Sequence, residues 1–328
     1  MKAIVHDRYG SPDEVLEFQD IDKPVVEDDE VLVRVHAAAL NAADWHIVRG
    51  LPYIGRLAFG LLKPKNSVPG LDVAGRVEAV GKNVTQLRPG DEVYGESDGA
   101  FAEYMCGGED VLAPKPANLT FEQAAAVPLS ANTALQGLRD KGQVQPGQKV
   151  LINGASGGVG TFAVQLAKSF GAEVTGVCST RNVDMVRSIG ADQVIDYTQD
   201  DFTQSGQHYD VIFDLVGNHS LSDCRRALTP KGTLVMSGGD GSRWFGPMGR
   251  IFKALMLSPF VSQSLLPFLA TRTKENLVVL KELAEAGKVT PVIDRTYELS
   301  ETPEAIRYLE DEHAQGKIVI TVGTSTPA

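Results

Sequence analysis

From Met1 to about Asn118 the apolar residues come in short runs separated by turn-forming residues. Lys2–Asp7, Glu30–Leu40 and Val73–Gly81 are such runs, and Gly10-Ser11-Pro12 and Arg88-Pro89-Gly90-Asp91 are breaks between them. Val31, Val33 and Val35 alternate with Leu32, Arg34 and His36, the period-two pattern of a half-buried strand. From 119 to 271 the pattern changes. Apolar runs of strand type at 149–153, 173–178, 193–196, 209–214, 232–237 and 264–270 alternate with helical spacing at 121–140, 157–170, 181–190 and 219–228, and a further helical stretch follows at 274–287. Repeated strand–helix–strand units with apolar strands predict a parallel sheet covered on both faces. The tail is mixed: Arg295–Leu299 and Lys317–Val322 are strand-like, and Pro303–Glu312 is helical with Thr302 as its N-cap. The expected organisation is α/β. One domain, 1–118 with 272–328, is mainly β, and the other, 119–271, is inserted into it as a doubly wound sheet.

Residues 153–160 read Asn-Gly-Ala-Ser-Gly-Gly-Val-Gly, between the strand Lys149–Asn153 and the helical stretch Thr161–Phe170. A glycine-rich strand-to-helix turn of this kind, the signature of a Rossmann sheet, brings backbone N–H groups and a helix's positive end against a pyrophosphate. Ala155, Ser156, Gly157, Gly158 and Val159 are therefore expected to contact a dinucleotide. A site for NAD normally carries Asp or Glu at the end of the second strand, to hold the ribose 2′-hydroxyl. Here Glu173–Cys178 ends in Ser179, Thr180, Arg181 and Asn182. Hydroxyls and a guanidinium suit a 2′-phosphate, so the expected cofactor is NADP(H). Tyr197, after the third strand, adds a hydroxyl contact or caps the sheet edge. Val216-Gly217 and Ser237-Gly238-Gly239 follow later strands, where backbone contacts to a cofactor are expected.

The chain has 328 residues, 43% hydrophobic and 22% charged, with a net charge of -11. That is enough for two domains with cores of their own, and the acidic balance without a basic run argues against nucleic acid. Cys106, Cys178 and Cys224 are widely spaced, which reads as reduced thiols rather than disulfides or a metal site. Met1–Asp7 lacks the apolar core of a signal peptide, and no 18-residue apolar span occurs. The expected address is the cytoplasm.

Several landmarks together resemble the zinc-independent medium-chain dehydrogenase/reductases, in the quinone oxidoreductase-like (zeta-crystallin-like) branch. They are Val31-Leu32-Val33-Arg34-Val35, Asn41-Ala42-Ala43-Asp44-Trp45, Pro69-Gly70-Leu71-Asp72-Val73-Ala74-Gly75, Arg88–Gly95, Gly154–Gly160 and Gly316-Lys317-Ile318-Val319. The resemblance covers essentially the whole chain. It implies that the mainly β part is a GroES-like catalytic domain and that the protein is a homodimer, with 264–270 a candidate edge for pairing. Zinc-bearing relatives hold their metal with Cys, His and Cys, and the matching positions are Asn41, Leu71 and Leu129. Leucine has no donor atom and Asn is a poor ligand, so no metal is expected. Without that Lewis acid, hydride must go to an acceptor that is already electrophilic, a quinone or an α,β-unsaturated carbonyl, in the cleft between the domains.

The same resemblance assigns site residues. Asn41 matches an amide that donates to a substrate oxygen, and reads equally as a turn former after a strand. Tyr53 matches an active-site Tyr that orients the acceptor or supplies a proton, or else simply lines the site. Thr133 matches a residue near the nicotinamide, or bonds back to a helix carbonyl. Lys317 matches a Lys near the cofactor, or is a surface charge, and Asp44 is expected to buttress the loop. Residues 51–66 and 243–260 are apolar with scattered Arg and Lys; they read as lid and core packing, or as an apolar mouth for a lipophilic acceptor at a membrane surface. The rival functions are an enoyl-thioester reductase and an NADPH-responsive interaction protein with little catalysis.

Overall fold

The computed structural model describes residues 1–238, 248–311 and 314–323. The chain divides into two compact units, Met1–Asn132 with Arg272–Ala328, and Thr133–Thr271. The first division lies at Asn132 rather than at 118. The reason is the short helix Phe121–Ala125, which packs on the strands Glu30–Leu40 and Asp72–Val80. Those strands belong to the first unit and hold the helix there.

Among its described residues the first unit has a seven-stranded sheet. Its order is Ile293–Glu298, Lys317–Thr321, Glu30–Leu40, Asp72–Val80, Glu92–Glu96 and Leu112–Pro114, with Tyr104–Gly108 also paired to Glu30–Leu40. The long strand Glu30–Leu40 changes character along its length. Val31, Val33 and Val35 point into the core while Arg34 and His36 are half-buried. From Ala37 to Leu40 every side chain is buried. The run of alanines lets Phe121–Ala125 approach closely, since small side chains shorten the distance between packed elements.

The second unit carries a six-stranded, all-parallel sheet among its described residues. The order is Gln193–Asp196, Glu173–Cys178, Lys149–Asn153, Tyr209–Asp214, Leu228–Met236 and Ser264–Pro267. Leu151, Val177, Ile212, Leu234 and Leu265 fill one face of its core. Several elements differ from the sequence pattern. The helix expected over 121–140 breaks into Phe121–Ala125, Pro128–Leu135 and a π-helical turn Gln136–Lys141. Thr120 caps the first piece, and Pro128, with no N–H to donate, starts the second. The stretch 181–190 begins as a 3-10 turn, Thr180–Asn182, before Val183–Ser188. The helices Ala42–Arg49 and Met248–Leu257 had no counterpart in the pattern.

Candidate functional site

In the second unit the glycine-rich turn leads into the helix Gly158–Ser169. Gly154 has φ +91°, a left-handed conformation that favours glycine. A Cβ on Gly160 would stand 2.0 Å from the Gly154 carbonyl oxygen, so the first turn fits against the loop only as glycine. The N-cap is Gly157, with no side-chain cap and no acidic residue in the first turn. The first intrahelical bond runs from Thr161 N–H to Gly157 O at 2.9 Å. The first-turn N–H groups of Gly158, Val159 and Gly160 therefore have no partner within the helix, and an anion such as a pyrophosphate is what that end accommodates. Ala155 is fully buried, so it contributes backbone only. Thr133 is buried at the start of this unit.

Ser179, Arg181 and Tyr197 come together at the carboxyl ends of Glu173–Cys178 and Gln193–Asp196. Ser179 caps the 3-10 turn, Arg181 is exposed on it, and Tyr197 is exposed, its N–H bonded to Cys178 O at 3.0 Å. A carboxylate does lie nearby, that of Asp196, which the sequence reading passed over. It accepts from Thr180 Oγ1 at 2.6 Å, Thr198 N at 3.0 Å, Thr198 Oγ1 at 2.8 Å and Gln199 Nε2 at 2.9 Å. Those bonds, the one from Thr180 foremost, hold its carboxyl below the usual range. It is committed to the turn.

Asp214, at the end of Tyr209–Asp214, is fully buried. It accepts from Asn153 Nδ2 at 2.9 Å, Val216 N at 3.2 Å and Gly217 N at 2.9 Å, and pairs with Arg250 at 2.5 Å. The backbone N–H groups of Val216 and Gly217 are thus taken up by Asp214. What those residues offer a ligand is their carbonyl groups and the exposed Val216 side chain. Ser237 and Gly238 lie at the end of Leu228–Met236, Gly238 with φ +124°. Gly239 lies outside the described residues.

The first unit holds a buried polar cluster. Lys317 is 1% exposed, and its ammonium donates to Asn41 Oδ1 at 2.5 Å, Asp72 Oδ2 at 3.1 Å and Ser130 Oγ at 3.2 Å. Asp72 is fully buried and also accepts from Asn41 Nδ2 at 2.9 Å and Leu129 N at 2.9 Å. Ser130 Oγ donates to Asn41 Oδ1 at 3.2 Å. Lys317 is therefore not a surface charge, the alternative reading of it. An ammonium has three N–H donors, and Lys317 bonds Asn41, Asp72 and Ser130 inside this unit. The amide of Asn41 is bonded likewise, its Nδ2 also reaching Ala39 O at 3.5 Å, and its Oδ1 orients Lys317.

Asp44 buttresses the loop as expected: its Oδ2 accepts the Asn41 N–H at 2.7 Å, closing the capping box of Ala42–Arg49. Burial pushes its carboxyl up to about 7, against the pull of that N–H bond, and the Asp72 carboxylate adds to the rise. Its Oδ1 is buried without a partner, which suits a neutral carboxyl. Burial pushes Glu96 up as well, beside Asn132 at 3.3 Å. Tyr53 is partly exposed in the 3-10 turn Tyr53–Gly55, with the Arg56 guanidinium 4.8 Å from its ring centre. A cavity of about 400 Å³ lies in this unit, walled by Ile47, Phe59, Val68 and Leu71 and edged by Lys65 and Arg272. Leu71 and Leu129 thus bring no donor atom to the neighbourhood of Asn41. Among the described residues no three His, Cys, Asp or Glu side chains are grouped to hold a metal ion.

The alcohol dehydrogenase GroES-like domain family matches residues 27–117, and the zinc-binding dehydrogenase family matches 189–320. A chloroplastic NADPH-dependent alkenal/one oxidoreductase of Arabidopsis thaliana is 35% identical over 98% of this chain and 79% of its own length. The chain belongs to the medium-chain dehydrogenase/reductases, in the quinone oxidoreductase-like branch. Two solved members of the superfamily superpose on it. The quinone oxidoreductase of Coxiella burnetii does so with a TM-score of 0.86 at 31% identity, over 98% of this chain and 99% of that one. The Escherichia coli quinone oxidoreductase complexed with NADPH does so with a TM-score of 0.83 at 26% identity, over 98% and 100%.

The buried cluster has two measurable consequences. Asp72→Asn leaves the Lys317 ammonium buried without its counter-charge and is expected to destabilise the protein by about 3–5 kcal/mol, read by urea denaturation. Asp44 has a folded-state value raised above the ordinary carboxyl near 3.9, so the native state binds the extra proton and stability falls as pH rises from about 4 to about 7. Asp44→Asn removes a slope worth roughly 4 kcal/mol across that window. Glu96, raised in the same direction, leaves a smaller slope behind in the variant's stability-versus-pH curve.

Proposed function

We propose that this protein is an NADPH-dependent reductase of quinones and activated enones that works without zinc. The observation that carries the reading is the uncapped N-terminus of Gly158–Ser169 with Ser179 and Arg181 at the end of the next strand. One end receives a pyrophosphate and the other a 2′-phosphate. The names of the relatives, an NADPH-dependent alkenal/one oxidoreductase and a quinone oxidoreductase complexed with NADPH, support the same cofactor and acceptors.

Bound NADPH supplies a hydride to the electrophilic carbon of the acceptor. The chain's own part is to hold and orient. First-turn N–H groups would hold the pyrophosphate, and Ser179 and Arg181 would supply the hydroxyl and charge for the 2′-phosphate. The zinc-free reading rests on donor chemistry: Leu71 and Leu129 cannot ligate a metal, and Asn41 is bonded to Lys317 and Asp72. A quinone or enone delocalises the incoming charge through its own conjugation. The apolar wall of Ile47, Phe59, Val68 and Leu71 suits such a flat acceptor, with the Tyr53 hydroxyl as the candidate to orient its oxygen.

We also infer that two copies pair. Ser264–Pro267 is the outer strand of its sheet, and Phe252, Leu255, Met256 and Phe260 nearby in sequence are 67%, 57%, 64% and 84% exposed. An open edge beside an apolar face is a surface a second copy would cover.

Purified protein should oxidise NADPH when given quinones or conjugated enones, with the rate unchanged by prior chelation. Absence of turnover across a panel of both acceptor classes would sink the reading. Arg181→Ala should raise the KM for NADPH about tenfold or more while leaving that for NADH near its starting value. For the assembly, sedimentation should give a dimer, and Phe252→Glu with Met256→Glu should give a folded monomer; a wild-type monomer at micromolar concentration would refute the pairing.

A further inference from the structure

Asn182 is 3% exposed and lies at the end of the turn that carries Ser179 and Arg181. Its side-chain nitrogen donates to Ser156 Oγ at 3.0 Å and to Ser179 Oγ at 3.2 Å, and its Oδ1 is buried without a partner. One amide group therefore bridges the two loops that hold the cofactor's two phosphate groups. The opposite amide orientation would strand two buried N–H donors in place of one carbonyl acceptor, a larger loss. The nitrogen faces the serines.

That orientation fixes the polarity of both hydroxyls. A serine hydroxyl that accepts an N–H keeps its own proton as a donor directed elsewhere. Both serines are partly exposed, so each proton can turn outward to an anion. We infer that Asn182 is a positioning residue that sets Ser156 and Ser179 as hydrogen-bond donors, Ser156 to the pyrophosphate and Ser179 to the 2′-phosphate of NADPH. The inference rests on the NADPH reading above and adds the residue that couples its two phosphate subsites. Sequence reasoning missed Asn182 because nothing in Ser179-Thr180-Arg181-Asn182 marks the last residue as the one that turns inward.

Asn182→Asp tests the polarity, because Asp has the same shape and the opposite hydrogen-bonding sense. A carboxylate accepts from both hydroxyls, turns their lone pairs toward the phosphates and adds a negative charge between them. NADPH affinity, measured by titration of its fluorescence, is expected to fall on the order of a hundredfold. NADH, which meets only Ser156, should weaken less, so the preference for NADPH drops about tenfold or more. The kcat at saturating NADPH should stay within about twofold, because Asn182 is placed to act on binding and not on hydride transfer. A variant that keeps the wild-type ratio of NADPH to NADH affinity overturns the inference.

Should the Asp variant fail to fold, a cycle of Asn182→Ala with Ser179→Ala carries the test. Removing the Ser179 hydroxyl should cost NADPH affinity in the wild type and much less once Asn182 is gone. Additive losses overturn the inference. Wild-type protein that binds neither dinucleotide would remove the NADPH reading and this inference with it. A clear wild-type preference for NADPH beside unchanged variants would remove this inference alone.

Discussion

The buried pair of Lys317 and Asp72 is the constraint around which the first unit is arranged. Two charges nine-tenths or more removed from water are stable only when each is paired and every remaining polar atom is bonded. Meeting that condition requires four separate pieces of chain. Lys317 comes from the first position of Lys317–Thr321, Asp72 from the first position of Asp72–Val80, Asn41 from the residue after Glu30–Leu40, and Ser130 and the Leu129 N–H from the helix Pro128–Leu135. A displacement of any one of them by an ångström would leave a buried charge uncompensated. The pair converts a loose junction of strand ends into a fixed one, and Asn41, Leu71 and Leu129 are fixed with it.

The second unit solves the same problem with a different charge. There Asp214 is the buried anion, and it gathers Asn153, the turn at Val216 and Gly217, and Arg250. Parallel strands all end on one side, so their carboxyl ends leave several loops with backbone groups to satisfy in one small region. A single carboxylate accepting four bonds satisfies several of them and holds the loops in register. The first-turn N–H groups of Gly158–Ser169, without partners inside their own helix, lie outside that arrangement.

Much of this was legible in the sequence, and the boundary between what was and was not is physical. The strand–helix alternation fixes its own period, so the parallel sheet and the glycine turn at 153–160 could be read directly, as could the cluster of Ser179, Arg181 and Tyr197 at two neighbouring strand ends. Side-chain direction could not. Lys317 reads from the sequence alone as a surface charge, because lysine is long and usually exposed. That it turns inward is decided by Asp72, 245 positions earlier. The side-chain partners of Asn41, Asp72 and Lys317, are likewise distant in sequence. Asn182 is the reverse case, a residue with no sequence signal that becomes central once two loops meet.

The charge count in the first unit explains why Asp44 stays neutral. Lys317 supplies one positive charge and Asp72 already balances it. A second carboxylate in the same dry cluster gains less from the Lys317 charge than it loses to burial and to the Asp72 charge. The Asp44 carboxyl is therefore pushed up to about 7, with burial the main cause and the Asp72 charge an added one. Its one strong bond, from the Asn41 N–H, is a bond that a neutral carboxyl oxygen can still accept. The acid that holds the loop and the acid that holds the lysine thus differ in how readily each gives up its proton.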